Sequence, residues 1–117
     1  PASPAGLLVG GDEARPVRRA AVLGGSGDSL LQRAREAGAD VYLTADLRPH
    51  PAQEHLEGGA PALLCGSHWA TESPWLPVLA GRLAAAAAAK DVELRVEVST
   101  IVTEPWSSHR ATLGGTA

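Results

Sequence analysis

Short apolar runs that each stop at a glycine or a polar turn constrain this chain more than any other feature. Ala20–Leu23, Val41–Leu43 and Ala62–Cys65 are runs of this kind, and each has the length of a buried strand. Segments with helical character separate them, over residues 28–37 and 49–58. This alternation predicts an α/β fold, in which helices flank a layered and largely parallel sheet.

Residues with special backbone preferences predict where the remaining elements begin and end. Asp28 is an expected N-cap for the first helix, and Gly38 suits the C′ position just after it. A longer helix is expected from Ser73, as N-cap, to about Lys90, with Pro74 at its first position. Alternation of apolar and charged residues over 92–98 predicts a half-exposed fourth strand.

The length of 117 residues fits one small domain or a part of a larger one. We expect residues 1–16 to be a linker or lead-in, 17–110 to form an α/β lobe, and 111–117 to be a disordered tail. The first residue is Pro1 rather than methionine, so we expect the chain to be part of a longer protein.

Composition excludes several classes of function. The net charge of −3 gives no general attraction to nucleic acid or to anionic membranes. The single cysteine, Cys65, excludes an intrachain disulfide and a cysteine-rich zinc module. No apolar run approaches the roughly 20 residues that span a bilayer, and no signal-peptide pattern is visible. A reducing cytoplasm is the expected location.

His68 and Glu72 are four residues apart, next to the end of a predicted strand. In a helical turn this spacing places an imidazole and a carboxylate on one face, where both can reach one divalent cation. The alternative is a solvated ion pair at the start of a helix. Two ligands do not complete a metal site, so further ligands are expected from another loop or another polypeptide.

Asp46 and His50 repeat this spacing after the second predicted strand. They are candidates for groups that support a metal site or carry protons. The alternative is that Asp46 caps the following helix and that His50 is an ordinary turn residue. His55, within that helix, is expected at the surface.

The glycine-rich turn at 24–27, followed by Asp46 about twenty residues later, weakly matches a dinucleotide-binding pattern. Leu30 stands where the third glycine or alanine of that pattern belongs. The alternative is a strand-to-helix turn that presents backbone N–H groups to an anion. Cys65 is either a small core residue or a nucleophile with His68 nearby.

Tryptophan is unusually prominent in a chain that contains no phenylalanine. The three tryptophans are candidates for the walls of a pocket or for an oligomer interface; the alternative is that they fill the core. They are Trp69, Trp75 and Trp106.

Five motifs occur together in one order: Gly24–Asp28, Ala39–Asp46, His50, Ser67–Glu72 and Thr103–Trp106. In this combination, residues 16–109 resemble the C-terminal half of the NGG-interacting-factor-like family. Proteins of that family are often named GTP cyclohydrolase type 2 homologues, and they are hexamers with a dinuclear metal centre. Ala45 and Ser67 replace glycines that are usual in the family.

The resemblance implies a two-lobed protein with two divalent metal ions between its lobes, of undetermined identity among Zn, Mn and Fe. It makes His68 and Glu72 metal ligands. The other ligands, a His-His pair and an aspartate, belong to an N-terminal lobe that this chain lacks, and the chain contains no His-His pair. By the same resemblance, the residues that line the cavity are Gly25, Gly27, Thr44, Asp46 and His50.

Two functions follow as expectations. The first is one lobe of a metal-dependent hydrolase that acts on a nucleotide or phosphoester and is inactive without its N-terminal lobe. The second is a non-enzymatic assembly or adaptor protein whose metal is structural or is trafficked. A nucleotide-binding domain built on the glycine turn ranks last. The expected partners are the N-terminal lobe and further copies of the protein in a hexamer.

Overall fold

A computed structural model describes residues 1–111 of the chain. Its four strands are β1 (Leu8–Gly10), β2 (Ala20–Ser26), β3 (Val41–Ala45) and β4 (Ala62–Gly66). Its four α-helices are α1 (Leu31–Glu36), α2 (Pro49–Glu57), α3 (His68–Glu72) and α4 (Trp75–Ala88). The strands form one sheet in the order β1-β4-β3-β2, which confirms the predicted α/β class.

The three predicted strands of the α/β repeat pair in parallel. β2 pairs with β3 and β3 pairs with β4, so that their ends meet in one line where Ser26, Ala45 and Gly66 are neighbours. The crossover helices α1 and α2 cover one face of this sheet. The buried core on that face comprises Leu31, Ala34, Tyr42 and Leu63.

Helix α1 ends as the sequence predicts and begins differently. Gly38 has φ +66°, and the N–H groups of Gly38 and Ala39 donate to the carbonyls of Arg35 and Ala34. This pair of backbone hydrogen bonds is a Schellman motif. The predicted Asp28 N-cap was wrong, because Asp28 lies in a 3₁₀ turn over 28–30 and accepts a hydrogen bond from Arg48 Nε at 2.5 Å.

Strand β1 lies within the segment expected to be a linker. Leu8–Gly10 pairs antiparallel with β4, where Leu8 is opposite Cys65 and Val9 is opposite Leu64. The apolar run Leu7-Leu8-Val9 adds a fourth strand at an edge that would otherwise be open. The expectation for residues 1–16 was therefore wrong over these three residues.

The predicted strand over 92–98 was wrong, since the structure assigns no strand between residues 89 and 111. Val92 and Leu94 are 55% and 49% exposed, and the segment meets no free sheet edge. Instead it returns along α4, where Val96 and Leu79 border a small cavity. Alternation indicates which side chains favour burial, but a strand also needs a neighbour for its backbone hydrogen bonds. The tail predicted over 111–117 lies outside the described residues except for residue 111.

The helix predicted from Ser73 to about Lys90 is present as α4, Trp75–Ala88, and the separate short helix α3 directly precedes it. Ser67 caps the short helix α3, and Ser73 is the C-cap of that helix rather than the N-cap of the next. Pro74 precedes α4 as its N-cap residue. None of the helices in the described part of the chain is long and apolar enough to cross a membrane.

The sheet face opposite α1 and α2 carries an exposed apolar row. Val22, Leu43, Leu64 and Val9 are successive register partners across the four strands, so they lie side by side on one face. The two outer members are exposed, Val22 by 69% and Val9 by 49%, whereas Leu43 and Leu64 between them are half-buried. We call these four residues the apolar row.

Asp40 links the starts of three strands, and its charge is expected to contribute to stability. Its carboxylate accepts hydrogen bonds from the backbone N–H groups of Arg18 and Arg19, each at 2.8 Å. These bonds hold the pKa of Asp40 below its usual 3.8. A lowered carboxyl pKa means a stabilising contribution that is complete above about pH 3.8 and is lost as the pH falls through the folded-state pKa.

The substitution Asp40→Asn should therefore lower the thermal unfolding midpoint at pH 7, and the difference from the wild type should shrink below pH 3.8. Thermal melts followed by circular dichroism across this pH range measure the effect. Asp91→Asn removes the same charge at an exposed position and serves as the control. An Asp40→Asn deficit that is equally large at pH 2 and pH 7 would contradict this assignment.

Gly27 is the glycine that packing requires most clearly. A Cβ at this position would collide with the hydroxyls of the buried residues Thr44 and Tyr42. Gly27→Ala should cost about 1–3 kcal/mol of unfolding free energy, since the strand beneath cannot move aside. Gly81→Ala is the matched control, because a Cβ there meets open space within α4. It should stabilise the chain by up to about 1 kcal/mol. Urea unfolding that gives both variants the same sign would refute this prediction.

Candidate metal centre

Helix α3 carries both predicted metal ligands on its exposed face. His68 Nε2 lies 3.1 Å from Glu72 Oε1, and the two side chains are 51% and 54% exposed. The helix begins at His68 because the side chain of Ser67 accepts a hydrogen bond from the N–H of Ala70 at 3.1 Å. One imidazole nitrogen and one carboxylate therefore point to the same place in solvent.

Asp46 fixes the orientation of the His68 ring. Its Oδ2 atom lies 2.6 Å from His68 Nδ1 and also accepts the hydroxyl hydrogen of Ser26 at 2.6 Å. An ionised carboxylate only accepts hydrogen bonds, so Nδ1 carries a proton and, in the neutral ring, Nε2 keeps its lone pair for a ligand. The arrangement matches the carboxylate–histidine pairs that support metal sites.

The electrostatics of this pair follow from the same contacts. The hydrogen bond to Asp46, with smaller contributions from the charges of Glu72 and Asp46, raises the pKa of His68 above its usual value. The Ser26 hydroxyl and then the His68 ring lower the pKa of Asp46. Asp46 is consequently ionised near neutral pH and gives the imidazole a permanent negative neighbour.

Gly25 brings the backbone of β2 directly against the pair. Its φ is +75°, and a Cβ at this position would lie 2.5 Å from Glu72 Oε1 and 3.1 Å from His68 Nε2. Its N–H donates to Thr71 Oγ1 at 3.0 Å, which attaches the turn to α3. Because no side chain stands here, the space beside the two candidate ligands stays open.

Two other residues predicted to line the cavity lie behind this turn. Thr44 is fully buried and donates its hydroxyl hydrogen to the carbonyl of Gly25 at 2.9 Å. Gly27 passes close to the same threonine, and its carbonyl accepts the hydroxyl hydrogen of Tyr42 at 3.0 Å. Thr44 thus holds Gly25 in place, and the absence of a side chain at Gly27 lets the turn pass close to Thr44.

His50 is not part of the cluster. It lies in α2 with its side chain 87% exposed, and its Nε2 is 3.6 Å from Glu54 Oε1. Asp46 does not cap this helix either, since Arg48 occupies the N-cap position without a side-chain cap. The spacing of Asp46 and His50 therefore does not produce the contact that it suggests, and Asp46 contacts His68 instead.

His55 was expected at the surface and is buried, with only 7% of the residue exposed. Its Nε2 lies 3.1 Å from the carbonyl oxygen of Pro61, to which it donates, and burial lowers its pKa. The expectation was wrong because α2 turns this side toward the sheet. His55 is a core residue away from the candidate site.

A cavity of about 560 Å³ adjoins the candidate ligands, and Trp69, Leu76 and Pro105 are among its walls. Trp69 therefore lines a pocket. Trp75 does not line this cavity; its ring lies 5.0 Å from the guanidinium carbon of Arg82.

A second cavity of about 250 Å³ adjoins the other side of His68. Asp46, Cys65, Glu104 and Trp106 are among its walls. Ser26, Ser67 and Glu104 lie in motifs that carry the family resemblance, but the sequence analysis named none of them as a site residue. A serine directly before the His68–Glu72 turn is nonetheless an N-cap signal in the sequence.

The described part of the chain supplies an incomplete ligand set. Within residues 1–111, no group of three His, Cys, Asp or Glu side chains is arranged to hold a metal ion. His68 Nε2 and Glu72 Oε1 are suitable donors for a divalent cation, and the open space at Gly25 suits an ion beside them. Asp46 is engaged with the other nitrogen of His68. The residues present thus fit one part of a metal centre.

Comparisons of the sequence with known proteins agree with one another on the family of its relatives. The sequence profile of Duf34/NIF3 (NGG1p interacting factor 3) matches residues 3–105. A Streptomyces coelicolor protein named GTP cyclohydrolase 1 type 2 homolog is 48% identical over 111 residues, which are 95% of this chain and 39% of that protein. A protein of the same name from Mycobacterium tuberculosis is 43% identical over 107 residues, 92% of this chain and 27% of that protein.

Solved structures agree with these relatives. A Bacillus cereus protein related to NIF3 superposes with a TM-score of 0.76 at 30% identity, over 86% of this chain and 27% of that one. Staphylococcus aureus protein SA1388 gives a TM-score of 0.80 at 28% identity, over 89% of this chain and 33% of that one. The chain thus spans less than half of the length of each of these relatives, and it belongs to the Duf34/NIF3 (NGG1p interacting factor 3) family.

Proposed function

We propose that this chain is the metal-binding lobe of a dinuclear metal-dependent hydrolase that resembles GTP cyclohydrolase type 2 and acts on a nucleotide or phosphoester. The observation that carries the proposal is the convergence of His68 Nε2 and Glu72 Oε1 at 3.1 Å. The names of the Streptomyces and Mycobacterium relatives point to the same class of protein. In the full-length subunit, the centre would hold two divalent ions.

Within this centre each residue has a separate task. His68 and Glu72 supply one nitrogen and one carboxylate donor, while Asp46 keeps the imidazole in the tautomer that leaves Nε2 free. Gly25 keeps side-chain atoms out of the space in front of both donors. Bound divalent ions would supply an activated water and charge neutralisation at a phosphate or ring carbon.

The remaining ligands would come from an N-terminal lobe. Two protein ligands are fewer than the three that a catalytic zinc usually has. The apolar row on the open sheet face is the kind of surface that a second lobe covers, since Val22 and Val9 are otherwise left in water. We further propose that the full-length subunits assemble into a homo-oligomer, a hexamer as in the family that the sequence resembles.

The second candidate is a non-enzymatic metal-binding assembly or adaptor protein. The exposed apolar side chains after α4 favour it, because Ile101 and Val102 are 74% and 57% exposed and suit a protein–protein contact. Turnover discriminates the two functions. A metal-loaded full-length protein that hydrolyses a member of a nucleotide and phosphoester panel supports the hydrolase, whereas metal transfer to a partner without turnover supports the adaptor.

Metal binding by the chain alone tests the ligand assignment. Mn²⁺ added to the ¹⁵N-labelled chain should broaden the amide signals around His68 and Glu72, and His68→Ala should remove this effect. Binding should be weak, since the described residues supply only two ligands. His50 and Glu54 form an internal control with the same sequence spacing, at 3.6 Å and without a contact from Asp46.

The His50–Glu54 pair should need roughly tenfold more Mn²⁺ for equal broadening, the size of effect that supporting carboxylates have on metal affinity. His50→Ala should leave the signals near His68 unchanged. Tight stoichiometric binding that survives His68→Ala would contradict the assignment of His68, and equal broadening at both pairs would show that Asp46 adds nothing.

Gly25→Ala tests the open space in front of the donors. The added Cβ would lie 2.5 Å from Glu72 Oε1, so Mn²⁺ broadening near His68 should weaken by at least about tenfold. Gly59→Ala is the matched control for backbone strain, because Gly59 has φ +81° and no atom within 4 Å of an added Cβ. Both variants should lose stability, and only Gly25→Ala should lose Mn²⁺ binding. Equal binding by the two variants would rule out this role for Gly25.

A further inference from the structure

Residues 92–100 have the sequence of a strand but no neighbouring strand. Val92, Leu94, Val96 and Val98 alternate with charged residues, and valine is a residue that favours strands. The segment runs without a helical turn or bend, and within the described chain none of its peptide groups after Val92 forms a backbone–backbone hydrogen bond. Its N–H and C=O groups are therefore available to another strand. We call residues 92–100 the unpaired segment.

Helix α4 covers one side of the unpaired segment. Leu76, Leu79 and Leu83 are three or four positions apart, so they share one face of the helix. They border the same cavity as Val96 and Val98 of the segment. No residue within α4 is itself buried, and Leu76 and Leu83 remain 41% and 44% exposed. The helix and the segment thus form a two-layer unit whose strand layer has a single member.

The charged side chains of the unpaired segment lie in solvent. Arg95 and Glu97 contact each other, and their side chains are 87% and 69% exposed. Residues two positions apart lie on the same side of an extended chain, so this contact agrees with an extended backbone. Opposite charges at this spacing are also self-complementary, because they meet each other when the segment pairs antiparallel with a copy of itself.

A pairing centred on Val96 uses this self-complementarity. In this antiparallel register, Val96 lies opposite its equivalent in the second copy, and each Arg95 lies opposite the partner's Glu97. On the apolar side, each Leu94 lies opposite the partner's Val98. Cross-strand pairs of opposite charge and of apolar residues both stabilise a sheet. The register therefore gains two ion pairs and a continuous apolar stripe.

Other registers of the same segment bring like charges together. A pairing centred on Arg95 places this residue opposite itself and Glu93 opposite Glu97, and a parallel in-register pairing places every charge opposite its like. A pairing centred on Leu94 places Asp91 opposite Glu97. Asp91 also has φ +52°, so the chain turns there rather than continuing as a strand. The charge pattern thus selects one antiparallel register.

We propose that the unpaired segment is a dimerisation strand, which forms a two-stranded antiparallel ribbon with the same segment of a second copy of this chain, in the register centred on Val96. A two-fold axis through Val96 gives the isologous contact that a symmetric dimer needs. The two α4 helices cover the apolar side of the ribbon and supply the packing that a bare ribbon lacks. The proposal rests on the homo-oligomer of the proposed function, for which it names a contact surface, and it is independent of the metal centre.

Analytical ultracentrifugation of the 117-residue chain tests the association. Between about 10 µM and 1 mM, the wild type should show a monomer–dimer equilibrium. A small interface of this kind is expected to be weak, with a dissociation constant of roughly micromolar or above. Arg95→Glu places two carboxylates opposite each other at both ends of the pairing, so it should weaken the dimer by at least about tenfold. Glu97→Arg should have the same effect.

The two charge variants also test the register. An equimolar mixture of Arg95→Glu and Glu97→Arg should associate as a heterodimer, since each acidic pair then faces a basic pair. The double variant Arg95→Glu/Glu97→Arg should recover homodimer formation. Arg33→Glu makes the same change of charge at an exposed position of α1 and should leave the equilibrium unchanged. Thermal melts verify that each variant is folded.

Cysteine cross-linking locates the two-fold axis. In a Cys65→Ser background, oxidation of Val96→Cys should give a disulfide-linked dimer, because the two introduced thiols lie opposite each other. Leu94→Cys is the matched control. Its two thiols would be four positions apart along the ribbon, roughly 13 Å, which is too far for a disulfide.

Two results would overturn the proposal. A wild-type chain that stays monomeric up to about 1 mM refutes the ribbon, and the mass of the full-length protein then decides the homo-oligomer separately. A dimer that neither single charge variant weakens, and that Val96→Cys cross-links no faster than Leu94→Cys, associates through another surface. That result leaves the homo-oligomer standing and refutes the assignment of the unpaired segment.

Discussion

The parallel pairing of β2, β3 and β4 is the constraint on which the candidate site depends. It places Ser26, Ala45 and Gly66 side by side at the carboxyl edge of the sheet. Each strand then places a site residue within two positions of its last paired residue: Gly25 at the end of β2, Asp46 after β3 and His68 after β4. Residues separated by about twenty positions in sequence are thereby brought within hydrogen-bonding distance. This is the general location of ligand sites in parallel α/β sheets.

A bulge in β2 adapts this edge to the helix that lies on it. The register between β2 and β3 shifts between Val22 and Ser26, where Gly25 adopts a positive φ. Gly24 and Gly66 have no side chains to keep α3 away, and a Cβ at Gly24 would lie 2.9 Å from the carbonyl oxygen of Thr71. Glycine at these positions lets α3 lie close enough for the N–H of Gly25 to bond Thr71.

Much of the fold was predictable from local sequence, and most of the site was not. The apolar runs located β2, β3 and β4, and Gly38 marked the end of α1 because its left-handed conformation favours glycine. The His68–Glu72 contact was equally local. The contact between Asp46 and His68 was not, since sequence spacing pairs Asp46 with His50 and only the sheet register reveals the true partner.

The other features that sequence did not predict correctly also depend on contacts between distant segments. β1 is three residues long, too short to show a period, and it is a strand only because the edge of β4 is available. Residues 92–98 have a clear period of two but find no edge to pair with in the described chain. Glu104 lines the same cavity as Ser67 although it is more than thirty positions away in sequence. In each case the local pattern indicates which conformation a segment favours, and tertiary structure determines whether another segment is available to pair with it or contact it.

Under the proposed function, the incomplete ligand set and the partly exposed apolar row are two aspects of one arrangement. The neighbours of Gly24 and Gly66 place α3 against the sheet edge on the side of the apolar row, opposite α1 and α2. One body packed on this side would cover Val22 and its neighbours and could also bring ligands to His68 and Glu72. Metal binding and docking of the second lobe would then be thermodynamically linked, so that each strengthens the other by the same factor. A lobe that binds metal weakly alone is the expected consequence of dividing one site between two packed surfaces.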